Sequence, residues 1–137
     1  MDKTLLTWAQ QAMDYAARAG ADQADAMAVE SVQRSAGMRQ GKPESIEQAE
    51  STALGLRVFV GQSSATLSSS DLSREALQQM ALQAVAIARA APSDPYAGLA
   101  DAARLATSIA TLEVDDHAPD MRQLQALAQE VEAAGLA

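Results

Sequence analysis

Cysteine is absent from all 137 residues. That removes disulfides, thiolate nucleophiles, Cys-ligated zinc and iron–sulfur clusters together, and it suits a reducing compartment, so a cytoplasmic location is expected. Histidine occurs once, which excludes by counting any helical zinc-peptidase motif that needs two. Aromatic residues make up only 3%, too few to line a pocket with rings. No segment approaches ~18 continuous apolar residues, so no membrane-spanning helix is expected. The opening Met1-Asp2-Lys3-Thr4 lacks the basic-then-apolar pattern of a secretory signal. Positive charge is also scarce: ten Lys and Arg stand against 18 Asp and Glu, a net charge of −8. A nucleic-acid binder needs a basic stripe to displace counterions from phosphate. The basic residues here are scattered, with no three adjacent, so direct nucleic-acid binding is not expected and an anionic membrane surface is disfavoured.

What remains is a chain 48% hydrophobic, built from Ala, Leu, Val, Ile and Met. Its length suits one domain large enough to bury a core without staples. Residues 4–19 read as an amphipathic helix, with Leu5, Trp8, Ala9, Ala12, Met13 and Ala16 recurring at i, i+3 and i+4. Gly20 sits where a helix ends on a left-handed residue. A lone Trp8 on that stripe reads as core rather than as a ligand site.

The period then changes. Residues 25–39 are compatible with extended chain, and Gly41-Lys42-Pro43 signals a turn. Residues 45–51 form a polar extended stretch suited to a wet face or an edge. Residues 53–60 give the clearest strand: Leu54, Leu56, Val58 and Val60 alternate onto one face, Gly55, Arg57 and Phe59 onto the other. Gly61-Gln62 suits a type II′ turn, returning residues 63–69 as the hairpin partner. The expected fold is therefore α+β: an antiparallel β-meander of about four strands, packed by two to three helices, with one sheet face partly open.

A second helix opens near Asp71-Leu72-Ser73, where either Asp71 or Ser73 can cap it. Its apolar face is Leu77, Met80, Ala81, Ala84, Ile87, Ala88 and Ala91, and Pro92 with Asp94-Pro95 stops it. Residues 92–118 look irregular, with a short strand near 108–114. A third helix is expected from Pro119 to about Ala134, with Leu124, Leu127, Ala128 and Val131 as its stripe. The chain stops at Gly135-Leu136-Ala137, just past that helix, and we expect a longer protein of which this is the N-terminal piece.

Four kinds of chemistry can be weighed against these residues. Asp115-Asp116-His117 invites a metal reading, but three adjacent residues do not converge easily on one ion and no second His or Cys exists; a solvated loop is the simpler account. The serines at 63, 64, 68, 69 and 70 have no adjacent base. Gly37, Gly41, Gly55 and Gly61 are spaced as strand and turn glycines, not as a phosphate loop. Glu44, Glu47 and Glu50 lie on a polar stretch that would not split their pKa values for acid–base work, and they discourage edge pairing instead. No catalytic, cofactor-binding or metal-binding residue is therefore expected here.

Several segments, taken in order, resemble the N-terminal domain of the TldD/PmbA family. They are residues 38–46 (MRQGKPESI), 53–61 (ALGLRVFVG), 69–77 (SSDLSREAL) and 86–96 (AIARAAPSDPY). The Asp-Pro-Tyr-Ala-Gly-Leu stretch at 94–99 looks more like the PmbA (TldE) branch than the TldD branch. The resemblance covers nearly the whole chain through order and spacing rather than one diagnostic motif. It implies an intracellular zinc-dependent peptidase system, named for a link to DNA gyrase, in which TldD and TldE pair to act on unfolded peptides. The zinc-bearing subunit carries HExxxH beyond this domain. That motif is absent here, so no catalytic or zinc residue carries over, and zinc is expected only in the partner or in a later domain. The partners implied are a TldD-like subunit or a second copy, with peptide reaching the complex as substrate. The rival readings are a non-enzymatic regulator that binds a topoisomerase or another protein, and a stand-alone interaction domain. The polar strand 45–51 and the hairpin 53–69 suggest a surface for a partner or for an extended peptide. Its candidate residues are Arg57, Glu47 and Ser69. Arg57 either pairs with a carboxylate at an interface or packs its stem on neighbouring strand residues.

Overall fold

The computed structural model describes residues 3–108, 110–111, 113 and 117–137. The chain runs α1 (Lys3–Ala19), β1 (Gln23–Arg39), β2 (Lys42–Val60), β3 (Ser63–Ser69), α2 (Arg74–Ala90), a 3₁₀ turn at Ala102–Arg104 and α3 (Met121–Leu136). The strands form one sheet in the order β1-β2-β3. The expected α+β class stands, with three strands in place of about four. The polar stretch 45–51 and the apolar stretch 53–60 are one continuous strand, because nothing at Ser51-Thr52 ends the ladder. Two compact units divide the chain. One holds the chain up to Glu30 together with Ser51–Ala106; the other holds Ser31–Glu50 and the chain from Thr107 onward.

In the first unit, α1 packs on α2 and α2 packs on β3. Leu54, Leu56 and Val58 alternate down β2 into the core. In the antiparallel register Leu56 faces Leu67 and Val58 faces Ala65. Ala12 and Ala16 of α1 and Leu77, Met80, Ala81, Ala84, Val85 and Ala88 of α2 complete the cluster. Its small side chains explain the low aromatic content, since alanine faces let helices approach closely. Trp8 packs against this cluster, as expected of a core residue. Two residues of the expected α2 stripe are misplaced: Ile87 is exposed, with Val85 taking the buried position, and Ala91 is the half-buried C-cap beyond the helix. Gly61 has φ 58 and Gln62 does not share a positive φ, the II′ pattern expected for this two-residue turn.

Either Asp71 or Ser73 was a plausible cap for α2, and the two divide the work. Ser73 is the N-cap and its Oγ accepts from Ala76 N–H at 3.3 Å. Asp71 stands two residues earlier, and its Oδ1 accepts from Ser73 N–H at 2.9 Å. That bond, helped by the Ser73 hydroxyl, holds the Asp71 carboxyl below its ordinary value.

The second unit comprises the outer part of the β1–β2 hairpin and α3. The turn is Gln40–Gly41, one step earlier than Gly41-Lys42-Pro43 suggests, with φ 51 and 71. Both signs positive is the type I′ pattern, which follows the twist of the flanking strands. α3 starts later than expected: Pro119 precedes the cap, and Asp120 is the N-cap in a reciprocal box with Gln123. The strand suggested near 108–114 falls partly on residues outside those described. Residues 108, 110, 111 and 113 carry no strand.

Candidate interaction face of the sheet

The first unit's sheet turns its Leu54–Leu56–Val58 row toward the helices, so the odd residues of β2 form the opposite face. Gly55, Arg57 and Phe59 project there, opposite Ser68, Thr66 and Ser64 of β3. Asp25, Ala26 and Met27 of β1 join Gly55, Arg57 and Thr66 around a shallow depression of about 360 Å³. Gly55 lowers its floor because it adds no side chain. Met27 stands beside it 69% exposed, and Val29 is also exposed.

Arg57 organises this face. Its Nε donates to Asp25 Oδ1 at 2.9 Å and its Nη2 donates to Asp25 Oδ2, a two-point fork. The Arg57 guanidinium also lies 5.2 Å from the centre of the Phe59 ring, within reach of a cation–π attraction. Phe59 is only 4% exposed although it points away from the helical core. The hydrogen bond from Arg57 holds the Asp25 carboxyl below its ordinary value, with partial burial opposing it. Half the surface of both side chains remains in water, 48% for Arg57 and 44% for Asp25.

The ends of this face are tied down. Asp22 N–H donates to Phe59 C=O at 2.8 Å, and Gly61 N–H donates to Asp22 Oδ2 at 2.7 Å. The segment after α2 is fastened too. Ser63 Oγ donates to Ala91 C=O at 3.0 Å, Asp94 N–H to Gln62 C=O at 2.7 Å, and Leu99 N–H to Gln23 Oε1 at 3.1 Å. The Asp-Pro-Tyr-Ala-Gly-Leu stretch therefore begins at the β2–β3 turn and ends at the first residue of β1.

Of the three residues singled out from sequence, Arg57 alone lies on this face. Of its two readings, the pairing one is met within the chain: the carboxylate is Asp25, not a group across an interface. Ser69 points toward the helical side, opposite Leu54, and is engaged at the strand-to-helix corner. It accepts from Asp71 N–H at 3.0 Å and donates to Asp71 C=O at 2.9 Å. Glu47 is exposed on β2 in the second unit. Sequence reasoning missed Asp25. The signal was its position: Asp25 and Arg57 are 32 residues apart and nearly equidistant from the Gln40–Gly41 turn, so hairpin pairing brings them together.

This face offers an ion pair, a hydroxyl and exposed methionine around a glycine floor. That combination suits contact with polypeptide, and among these side chains no nucleophile has a base. Among the described residues, no group of three or more His, Cys, Asp or Glu could hold a metal ion, so a zinc donor set is not assembled from them. Asp115 and Asp116 lie outside the described residues; His117 is exposed. No described helix is long and apolar enough to cross a membrane.

A helix-backed, open antiparallel sheet whose exposed face is organised by an Arg–Asp fork defines an α+β module. Residues 24–88 match the family model of the PmbA/TldA metallopeptidase domain 1. This match supports a PmbA/TldD-family N-terminal domain. Its fold is similar to the crystal structure of a candidate modulator of DNA gyrase from Bacteroides thetaiotaomicron VPI-5482, with a TM-score of 0.73 and 24% identity. That similarity covers 80% of this chain and 25% of the other, so this chain spans about a quarter of its neighbour's length. Comparison with curated proteins gives no match.

Proposed function

We propose that this domain is the scaffold and interface portion of a PmbA/TldE-like subunit in a cytoplasmic, zinc-dependent peptidase complex acting on unfolded peptides. The observation that carries this reading is the match of residues 24–88 to a metallopeptidase first domain, because that stretch includes Asp25, Arg57 and Thr66, around the exposed depression. The domain contributes a rigid sheet face for a TldD-like subunit, for a second copy of the chain or for the peptide. Zinc is held by the partner or by a later domain. The 94–99 stretch favours the non-catalytic branch. The test is to express the full-length protein with and without a TldD-like subunit and to follow cleavage of an unfolded peptide with zinc present and after chelation. Cleavage only by the pair, with slowed amide exchange in residues 53–69, is the expected result. Zinc-dependent cleavage by the domain alone would overturn the reading, as would unchanged exchange on adding both partner and peptide.

The name of the Bacteroides structure favours one second reading, a non-enzymatic protein-binding regulator of a topoisomerase. Gyrase supercoiling that responds to the full-length protein, in the absence of any peptide cleavage, is the outcome that selects it.

A further inference from the structure

We infer that α3 is a releasable clasp, held to the tip of the β1–β2 hairpin chiefly by the Glu132 carboxylate rather than by apolar packing. The inference stands apart from the peptidase reading and concerns the second unit alone.

The hairpin tip is built to receive an anion. Gln40 and Gly41 both have positive φ, 51 and 71, so their successive N–H groups turn to one side and form a small concave donor pair. The Glu132 carboxylate fills it with both oxygens. Gln40 N–H donates to Oε1, and Gly41 N–H donates to Oε2 at 2.9 Å. These are charge-assisted bonds to backbone donors that no longer need water.

Apolar packing of the same helix is slight. No residue of α3 is buried. Leu127 and Val131, which sequence places on its apolar stripe, are 57% and 65% exposed. Between the helix and the hairpin lies an open cleft of about 540 Å³, lined by Ala36 and Met38 of β1 and by Leu124, Leu127, Ala128, Val131 and Glu132 of α3. In proteins most helical stability comes from tertiary packing of an apolar face, and this 16-residue helix has little of it. Its Asp120–Gln123 box supports only the first turn, whereas Glu132 lies near the other end. The clamp therefore decides whether α3 stays docked. Its release bares the apolar strip Ala36–Met38 on the hairpin together with Leu124 and Ala128 on the helix.

The test compares full-length protein with its Glu132→Ala and Glu132→Gln variants by amide hydrogen exchange, with Glu130→Gln as a control on the same helix. Alanine is the better helix former, so faster exchange in that variant cannot be charged to helix propensity. Losing two charge-assisted bonds should speed exchange across 121–136 by roughly tenfold or more. Gln40 and Gly41 should lose protection with it, while α2 stays unchanged. Glu132→Gln, which keeps one acceptor, should fall between, and Glu130→Gln should match the parent. Unchanged protection of α3 in Glu132→Ala would overturn the clasp. Loss of protection in α2 and α3 together would also overturn it, because α3 would then not open as a separate element.

Discussion

Gly20 carries two separate requirements at one position. Its φ is 97, which an L side chain adopts only at a cost, and an added Cβ would stand 2.5 Å from Arg89 Nη2. The guanidinium belongs to a flexible side chain and can retreat, so backbone strain dominates. Gly20→Ala should destabilise the domain by about 1–2 kcal/mol, measured as a shift in the urea midpoint without a change in slope. The Asp25–Arg57 fork sets a different kind of limit. Both partners are half in water, so their coupling in a double-mutant cycle should be no more than about 1 kcal/mol. Because the folded state lowers the Asp25 pKa, the pair's contribution is present above the ordinary carboxylate value near ~3.9. It is lost as pH falls through the lowered folded value. Asp25→Asn should therefore flatten the acid limb of the stability curve and leave its slope near neutrality unaltered. An acid limb as steep as the parent's would show that Asp25 is not the titrating group.

At the scale of the element, the start of α2 separates two side chains that sequence could not rank. Ser73 closes the helix by accepting from Ala76 N–H, and Asp71 fixes the approach by accepting from Ser73 N–H. Ser73→Ala should cost about 1 kcal/mol, and Ser73→Asp should restore most of it. Thermal melts of the two variants decide this; equal losses would move the cap to Asp71. The strands tell more about what sequence can carry. The 54–60 alternation was legible because one face of β2 meets a helical core, and burial enforces a period of two. Residues 42–50 are all exposed, so no buried face imposes a pattern. Nothing in their residues announces that the strand continues unbroken into 51–60. The same lack of burial explains Ile87 and Val85. On an alanine-rich helix, the boundary between the buried stripe and solvent is set by where α1 and β3 lie, which the helix's own periodicity does not contain. Asp25 was hidden for a related reason: a pairing between distant strands becomes visible only once the turn between them is fixed to the residue.

At the scale of the whole molecule, the domain pairs a tightly packed helix-backed core with a sheet face that stays open, and the proposed interface belongs to that face. The core does not depend on Arg57, whose side chain points away from Leu54, Leu56 and Val58. Arg57→Glu should therefore leave thermal stability nearly intact, since it removes a half-solvated pair of small worth. It also sets two carboxylates beside each other and reverses the charge at the edge of the depression that holds Met27 and Thr66. Reversed charge at a contact surface costs affinity through repulsion and desolvation. With a TldD-like subunit as the probe, the full-length Arg57→Glu variant should bind at least about tenfold more weakly while melting within a few degrees of the parent. A charge swap, Asp25→Arg with Arg57→Glu, re-forms the pair in the opposite sense. Recovery of binding in the swap would mean that the partner needs a neutral, ordered face, whereas continued weak binding would mean that it reads the Arg57 cation itself. Parent-like affinity in the single variant would remove this face from the interface and leave the exposed hairpin of the second unit, where Glu47 lies, as the surface to test next.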